Sequence, residues 1–315
     1  MRDSHDRHSD KSTNQLMPHG NSDIEGPSMI VAPKRVVDRR SFVKGISTAT
    51  VGITSASLLA SETDVESRIK RAVKFHMIKE ELSVLDKFKL LKDLNFDGTE
   101  IHVTSKVDPR EVSQAIEKTD VAVHGFLNSD KPDLIHAIDT AKYYGGTSVL
   151  VVAGRVDKTN RYDQVYQEQR DRIRKALPHA EKQNIHLLIE NVWNGFLLSP
   201  IEMARFIDEL DSPFAGSYFD VGNVVRFGWP EHWIRILNKR IIKLDIKEYS
   251  REKQLNKGLR KGFEVEIGEG DCDWPEIRIA LKDIGYTTGW ATAEVPGGDR
   301  RRLAEIAERM DRVLT

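Results

Sequence analysis

The stretch Ile185-His186-Leu187-Leu188-Ile189-Glu190-Asn191 has the apolar run of a short buried strand, and it ends on a carboxylate and an amide. A charge at the end of a buried strand is costly unless it is paired or binds something. For one such acid alone, a solvated position at the start of a loop is the simpler interpretation. The feature recurs, however, in four other short segments: Thr99-Glu100-Ile101, Ser217-Tyr218-Phe219-Asp220, Lys243-Leu244-Asp245 and Ala291-Thr292-Ala293-Glu294. Acids at the same ends of successive strands predict one shared site.

Strand and helix patterns alternate along the chain from residue 73 to the end. The predicted strands are residues 73–78, 98–103, 121–125, 148–153, 185–191, 216–221, 240–247 and 289–295. The predicted helices are residues 83–94, 109–119, 132–144, 162–183, 199–210, 230–237, 274–284 and 299–313, and residues 250–262 are predicted to be a basic loop. Eight strand–helix units over roughly 250 residues have the size of a (β/α)8 barrel, which places the chain in the α/β class.

A doubly wound open sheet would give the same alternation of strands and helices. Such sheets often bind nucleotides through a glycine-rich turn after the first strand, but the turn here is Met77-Ile78-Lys79-Glu80-Glu81. We therefore predict a single TIM barrel over residues 73–315. In this fold the carboxyl ends of all strands lie on one face and carry the chemistry, so the acids would converge there.

Apolar and charged residues alternate along the seventh predicted strand. Its apolar set is Ile242, Leu244 and Ile246, and its charged set is Lys243, Asp245 and Lys247. In a barrel the apolar set would face the helices, and the charged set would point into the lumen, where charges must be paired or bind an ion. The alternative is an edge strand of an open sheet with a solvated charged face.

The first part of the chain has a different composition. Residues 1–36 are rich in polar residues and too poor in large apolar groups to form a core, so we expect disorder there. Residues 37–61 contain Arg39-Arg40 followed by a mildly apolar stretch at 45–60, which resembles a twin-arginine export signal and is short for a membrane span. The expectation is export to the periplasm by the twin-arginine translocase, with Met29 as an alternative start to Met1. A chance Arg-Arg pair before a surface helix would instead leave the protein in the cytoplasm.

The composition excludes several classes of function. The formal net charge is −1 and the sequence pI is about 6.8, so the overall balance does not favour nucleic acid or an anionic membrane. The chain has one cysteine, Cys272, which excludes an internal disulfide. Because Asp271 and Asp273 flank it, a thiolate is disfavoured, and a structural role is expected.

Six segments in the predicted order resemble the xylose isomerase-like barrel superfamily, which contains sugar and sugar-phosphate isomerases and epimerases, inosose dehydratases and endonuclease IV. The segments are Phe96-Asp97-Gly98-Thr99-Glu100, Leu188-Ile189-Glu190-Asn191, Tyr218-Phe219-Asp220-Val221-Gly222-Asn223, residues 240–248, residues 268–274 and Thr292-Ala293-Glu294-Val295. The resemblance covers about residue 73 to the end.

The resemblance implies a divalent metal site. In such enzymes the metal is bound by a Glu, an Asp, a His and a Glu from strands five to eight, which correspond to Glu190, Asp220, position 245 and Glu294. Asp245 stands where the family has His, and Asn223 replaces a His that is common after the sixth strand. Four carboxylates suit Mg or Mn better than Zn.

The resemblance also implies a reaction on a carbohydrate. A metal that holds a sugar carbonyl and the adjacent hydroxyl would stabilise an enediolate, and Glu190 and Glu294 would remove and return the proton. Glu100, His102 and His124 are expected to contact the substrate at the rim, although each histidine fits a structural role equally well. The other expected substrate contacts are Asn223, Lys247 and Arg251.

Several alternatives stay open at this point. A lyase or dehydratase would use the same enolisation, and an exported sugar-binding protein would keep the pocket without turnover. A nuclease like endonuclease IV would need more His ligands and a positive DNA-binding face, which the sequence does not offer. The barrel resemblance suggests phosphosugars, the export signal suggests unphosphorylated ones, and a homo-oligomer is compatible with the sequence.

Overall fold

Eight parallel strands close into a ring, which is the centre of the described part of the chain. In this computed structural model, residues 68–128 and 133–315 are described. The strands follow the chain order β1-β2-β3-β4-β5-β6-β7-β8, and β1 pairs with β8 as well as with β2. The predicted single TIM barrel is thereby confirmed. The predicted disordered segment 1–36 and export signal 37–61 lie outside the described residues.

The strands and helices alternate as the sequence predicts. The strands are β1 Ile69–Lys74, β2 Gly98–His102, β3 Ala122–Asn128, β4 Ser148–Val151, β5 His186–Glu190, β6 Ala215–Asp220, β7 Ile241–Ile246 and β8 Gly289–Ala293. The helices are α1 Val84–Asp93, α2 Pro109–Thr119, α3 Leu134–Tyr143, α4 Tyr162–Gln183, α5 Pro200–Glu209, α6 Val221–Val225, α7 Pro230–Leu237, α8 Arg251–Lys257, α9 Trp274–Asp283 and α10 Arg300–Leu314. Short 3₁₀ turns are Phe75–Met77, Asn238–Arg240 and Leu259–Phe263. Among these elements, no helix combines the length and the apolarity needed to cross a membrane.

Helix starts are fixed by local capping chemistry. The Ser83 hydroxyl accepts a hydrogen bond from the Asp86 backbone N–H at the start of α1, and the Asp108 carboxylate accepts one from Arg110 N–H at the start of α2. Each bond satisfies a backbone donor that has no partner within the helix. Pro109 occupies the first turn of α2, where its missing N–H costs nothing.

The hydrophobic core has two parts. The larger part lies between the outer face of the barrel and the helices, and the smaller one lies inside the barrel, where Leu127, Leu150, Leu188 and Tyr218 pack together. The inner cluster forms an apolar layer in the lumen. The polar groups that share the lumen must therefore find partners among themselves.

Three local predictions differ from the structure. The first strand begins at Ile69 rather than residue 73, because Arg71 and Lys74 are buried charged residues that disguise the strand in the sequence. The Arg71 guanidinium donates to the carbonyl oxygens of Asn95 (2.9 Å) and Ala307 (3.1 Å), which compensates for its burial.

The predicted loop at 250–262 contains a helix and a 3₁₀ turn. The Ser250 hydroxyl caps α8 by accepting from Lys253 N–H (3.2 Å), and α8 ends at Gly258, whose φ of 105° favours glycine. No residue of α8 is buried, so the helix carries no apolar periodicity that the sequence could reveal.

Ile242 does not face the helices as predicted. The pairing register between β6 and β7 shifts, so that Ser217 pairs with Ile241 and Tyr218 pairs with Lys243. This irregularity leaves Ile242 packed against the inner cluster, while Lys243 and Asp245 point into the lumen as predicted. A bulge of this kind changes the side of a residue without changing its neighbours in sequence.

Candidate active site

Four carboxylates converge at the carboxyl ends of the last four strands. Glu190 and Asp220 are the last residues of β5 and β6, Asp245 lies near the end of β7, and Glu294 follows β8. Each offers an oxygen, and these oxygens all lie within 4.8 Å of one another. The first three side chains are buried, and the Glu294 side chain is about one-third exposed. The structure thus brings together the four predicted metal ligands.

Asn191 fixes the position of Asp220. Its side-chain amide donates to the Asp220 carbonyl oxygen (2.8 Å), and its side-chain oxygen accepts from the Asp220 backbone N–H (2.8 Å). The Asp220 carboxylate in turn accepts from Asn223 N–H (2.8 Å) at the start of α6. These bonds join the ends of β5 and β6, so Glu190 and Asp220 are held at a fixed separation.

Two lysines reach the carboxylates from the sides. The Lys74 ammonium lies 3.0 Å from Asp245 Oδ2 and also contacts Glu294 Oε2. The Lys247 ammonium lies 2.8 Å from Asp220 Oδ2 and 3.2 Å from Glu294 Oε1. Sequence reasoning missed Lys74 altogether. The signal that could have found it is the closure of the barrel, which brings the end of β1 beside β8.

Burial and the two lysines together give Glu190 and Glu294 different acidities. Burial and the neighbouring Glu294 raise the pKa of Glu190 to about 8, against an opposing effect of Lys74. Burial opposes ionisation of Glu294 as well, but Lys74 and Lys247 outweigh it and hold the pKa of that carboxyl well below its usual range. Two carboxyl groups whose pKa values are pushed apart can take different roles in proton transfer.

A second polar layer lies deeper in the lumen. Lys243 Nζ lies 2.9 Å from His124 Nδ1, and His124 Nε2 lies 3.2 Å from Thr292 Oγ1. Thr292 Oγ1 lies 2.8 Å from the Tyr218 hydroxyl, which donates to Glu100 Oε1 (3.0 Å). When Lys243 is protonated, its ammonium group can only donate, so His124 Nδ1 then accepts and its other nitrogen donates to Thr292. The layer is one directed chain of hydrogen bonds from Lys243 to Glu100.

Burial controls the charges of this deeper layer. It lowers the pKa of Lys243 to about 7, with Glu100 opposing the shift. Burial, together with Lys243, also lowers the pKa of His124 well below its usual value. His124 is therefore neutral, in agreement with its acceptance of a hydrogen bond from Lys243.

The predicted substrate contacts occupy different places. Glu100 and His124 are almost fully buried below the carboxylates, so they do not lie at the rim. His102 is half-buried, and its Nδ1 accepts from Thr104 N–H (3.2 Å) beside a separate surface cavity. Arg251 donates to the carbonyl oxygens of Val225 (2.9 Å) and Gly228 (2.8 Å), and so holds the segment after α6.

Asn223 and Lys247 line an open cavity of about 950 Å³ above the carboxylates. Glu190 and Glu294 form part of its floor, and Trp193 and Phe263 form part of a wall. The volume suits a small molecule of the size of a sugar derivative. Sequence reasoning could not assemble the rest of the wall, which includes His76, Arg155, Gln169, Arg172 and Arg260 from distant parts of the chain.

The carboxylate cluster fits a divalent cation. Asp245 Oδ1 is buried and accepts no hydrogen bond within the described part of the chain, and the Glu190 carboxylate accepts none from another residue in ranges 68–128 and 133–315. When all four carboxyl groups are ionised, as metal ligands are, the two ammonium groups beside them leave two negative charges unmatched, which equals the charge of one divalent ion. An all-oxygen donor set suits Mg²⁺ or Mn²⁺.

Comparison with known families identifies the fold family. The profile described as xylose isomerase-like TIM barrel matches residues 88–313. The chain belongs to the xylose isomerase-like TIM barrel family. A search of curated proteins gave no match.

Solved structures of several other proteins share the fold of this chain. A probable 3-DHS dehydratase from Bacillus anthracis is 18% identical with a TM-score of 0.63, covering 77% of this chain and 99% of its own. A D-allulose 3-epimerase from Methylomonas sp. is 15% identical with a TM-score of 0.62, covering 79% and 99%. The 3-keto-D-glucoside 4-epimerase of E. coli is 14% identical with a TM-score of 0.63, covering 78% and 99%. At these identities the likeness concerns the fold.

Proposed function

We propose that the protein is a sugar isomerase or epimerase that depends on a divalent metal and moves a proton next to a carbonyl group. The observation that carries the proposal is that Glu190, Asp220, Asp245 and Glu294 offer oxygens within 4.8 Å of one another, next to the cavity that Glu190 and Glu294 line. Family membership and the epimerases of the same fold support it. Mg²⁺ or Mn²⁺ held by these four side chains would polarise the sugar carbonyl and the adjacent hydroxyl.

Glu190 is the proton-transfer group that the geometry favours. It lines the cavity and accepts no hydrogen bond from other described residues, so its carboxyl group is free to exchange a proton with a sugar bound there. Glu294 follows β8, three strands round the ring from β5, and so faces the substrate from another side. Lys74 and Lys247 hold it ionised. An epimerase needs two such groups, one for each face of the carbon.

A dehydratase is the second candidate. Elimination would begin with the same proton removal, and it would need an acid for the departing hydroxyl. The Lys247 ammonium lines the cavity and can donate a hydrogen bond to that hydroxyl, but Asp220 and Glu294 outweigh burial and raise its pKa, so it would stabilise the departing group as a cation rather than give up its proton. A dehydratase with this fold shows that the barrel is compatible with such a reaction.

Proton exchange tests the proposal whatever product the sugar finally gives. Ketoses and their phosphates would be incubated with protein and Mn²⁺ in D₂O, and deuterium next to the carbonyl would be followed by NMR. We expect exchange with one class of sugar, and its loss in Glu190→Gln but not in the exposed control Glu252→Gln. A folded wild type that binds sugar without any exchange would instead indicate a sugar-binding protein, and loss of water from the sugar would indicate a dehydratase.

We also propose that residues 37–61 direct export. A fusion of residues 29–72 to a folded reporter should reach the periplasm only through an intact twin-arginine pathway. Replacement of Arg39 and Arg40 by Lys should retain the reporter in the cytoplasm. Equal distribution of both fusions would contradict the export proposal and leave the catalytic one unaffected.

A further inference from the structure

Three arginines line the same cavity as the carboxylates. Arg155 lies in the segment after β4, Arg172 lies on α4, and Arg260 lies in the 3₁₀ turn Leu259–Phe263. They come from three separate segments of the chain, yet all three line one cavity. None of them belongs to the carboxylate cluster described above.

Two of these guanidinium groups lack a counter-ion among the described residues. Arg155 and Arg260 are exposed, and neither forms an ion pair or a side-chain hydrogen bond with any residue in ranges 68–128 and 133–315. Many other arginines of the protein do form ion pairs, as Arg240 does with Asp208 (2.6 Å) and Arg302 with Glu266 (2.8 Å). These two guanidinium groups therefore leave the cavity wall positively charged, whereas many arginines elsewhere are neutralised by an acidic partner.

Arg172 is held in place beside them. It is half-buried, and its Nε donates to the side-chain oxygen of Gln169 (2.9 Å), which also lines the cavity. A guanidinium held in this way presents its N–H donors at a fixed place, which suits charge-assisted hydrogen bonds to an anion.

The acids of the cavity do not cancel this charge. Glu264, which lines the cavity near Arg260, is paired with Lys261. Glu294 is paired with Lys74 and Lys247, and Glu190 belongs to the carboxylate cluster. The cavity therefore has a negative floor that fits a metal and a positive wall.

We propose that the substrate is a sugar derivative that carries an anionic group, a carboxylate or a phosphate, bound by Arg155, Arg172 and Arg260. This deepens the proposed function and rests on it. The planar guanidinium matches the oxygen pairs of carboxylate and phosphate, which makes arginine suited to both. The carbonyl end of the sugar lies over the carboxylate floor, while Trp193 and Phe263 provide apolar contact beside it.

Binding measurements by calorimetry test the assignment with matched sugars. The probes are D-glucose, D-glucuronate, D-glucose 6-phosphate and inorganic phosphate, each titrated into the full-length protein with Mn²⁺ present. We expect at least one anionic sugar to bind about tenfold or more tightly than D-glucose, because hydrogen bonds to charged groups are the stronger ones. Comparison of the affinities for D-glucuronate and D-glucose 6-phosphate identifies which anionic group the arginines prefer.

Variants locate the binding to the three arginines. The double variant Arg155→Gln/Arg260→Gln changes exposed residues only, so its fold is preserved, and it should lose most of the preference for anionic sugars. Arg172→Gln, checked for folding by circular dichroism, should lose it as well. The exposed Arg110 on α2 lies outside the cavity, so Arg110→Gln serves as the matched control.

The assignment would be overturned by equal binding of neutral and anionic sugars, by absence of anionic sugar binding, or by an unchanged preference in the double variant. Binding of inorganic phosphate as tight as that of glucose 6-phosphate would also overturn it, because the arginines would then take a free anion. The readout is binding, so Glu190→Gln should keep the preference even though it loses proton exchange. Failure of the catalytic proposal and failure of this one are therefore distinguishable.

Discussion

At the scale of single residues, the site is governed by two lysines as much as by four acids. Lys74 and Lys247 place two positive charges beside four carboxyl groups and hold the pKa of Glu294 low against burial, whereas burial and Glu294 raise the pKa of Glu190. Burial makes each of these contacts stronger than it would be on the surface, because the surroundings screen charge poorly. The lysines therefore tune how strongly the cluster attracts a cation.

Replacement of Lys74 by Met should strengthen metal binding and weaken the metal-free protein. Removal of the ammonium group 3.0 Å from Asp245 leaves the cluster more negative, so Mn²⁺ affinity should rise by about tenfold or more. Without metal, the buried carboxylates lose a partner, and the melting temperature should fall in EDTA. Mn²⁺ titration and thermal unfolding measure the two effects.

The exposed Lys92→Met serves as the control and should change neither quantity. A fall in Mn²⁺ affinity on Lys74→Met would mean that Lys74 orients the ligands rather than competing with the metal. If only the variant bound Mn²⁺, the ammonium group would be the native cation of the site.

The raised pKa of Glu190 predicts a pH dependence of stability in the metal-free protein. The folded protein binds this proton more tightly than the unfolded chain, so protonated Glu190 stabilises the fold fully below its unfolded pKa. This contribution is lost as pH rises toward about 8. Glu190→Gln cannot ionise, so the variant should gain stability relative to wild type across this window. Denaturant unfolding of both proteins in EDTA at pH 5, 7 and 9 measures this gain. A difference in unfolding free energy that does not change with pH would contradict the raised pKa.

At the scale of elements, sequence reasoning located the strands that carry the site because their apolar runs end on acids. It placed Glu190, Asp220, Asp245 and Glu294 on β5 to β8, and the structure brings them together. It could not find the role of Lys74, since a charge at the end of β1 reveals its partner only when β1 pairs with β8. Sequence reasoning also did not predict helix α8 or the bulge at Ile242. Exposure removes apolar periodicity from α8, and pairing register is a property of two strands.

The junction of β5 and β6 gives a prediction about Asn191. Asn191→Ala leaves the buried backbone N–H and carbonyl of Asp220 without their side-chain partners, which should lower stability by about 2 kcal/mol or more. Because Asp220 also loses its support, Mn²⁺ affinity should fall. Denaturant unfolding and Mn²⁺ titration measure both.

A matched control is Asn194→Ala. Asn194 also bonds buried backbone, donating to Gly154 O (2.8 Å) and accepting from Phe196 N–H (3.1 Å), but it does not contact Asp220. Asn194→Ala should therefore lower the stability of the fold with little effect on Mn²⁺ affinity. Equal loss of affinity in both variants would indicate general loosening of the barrel rather than loss of a specific support.

At the scale of the whole molecule, alternation and size were enough to predict the barrel, because eight strand–helix units of this length close into a ring. The cavity could not be predicted in the same way. Its wall combines side chains from segments more than a hundred residues apart, such as Arg155 and Arg260. Their meeting depends on how each loop folds over the barrel, and loops carry little periodic signal.

The metal should couple the site to the stability of the whole barrel. Its four ligands come from β5, β6, β7 and β8, which form one contiguous half of the ring, so the bound ion links strands that must separate on unfolding. An ion that binds only the folded state stabilises it by about 2.7 kcal/mol at a concentration a hundredfold above its dissociation constant. Addition of Mn²⁺ to the wild type should therefore raise the melting temperature, and EDTA should reverse the rise.

Asp245 decides whether that stabilisation comes from this site. Asp245→Ala removes one ligand, so the Mn²⁺-dependent rise in melting temperature should shrink or vanish. Asp245→His supplies an imidazole in the same place and should restore a rise that is larger with Zn²⁺ or Co²⁺ than with Mn²⁺, because imidazole suits the softer ions better than a carboxylate does. Scanning calorimetry of the three proteins with each ion measures this order. An unchanged Mn²⁺ response in Asp245→Ala would remove Asp245 from the metal site, and the same ion preference in Asp245→His and wild type would show that position 245 does not contact the ion.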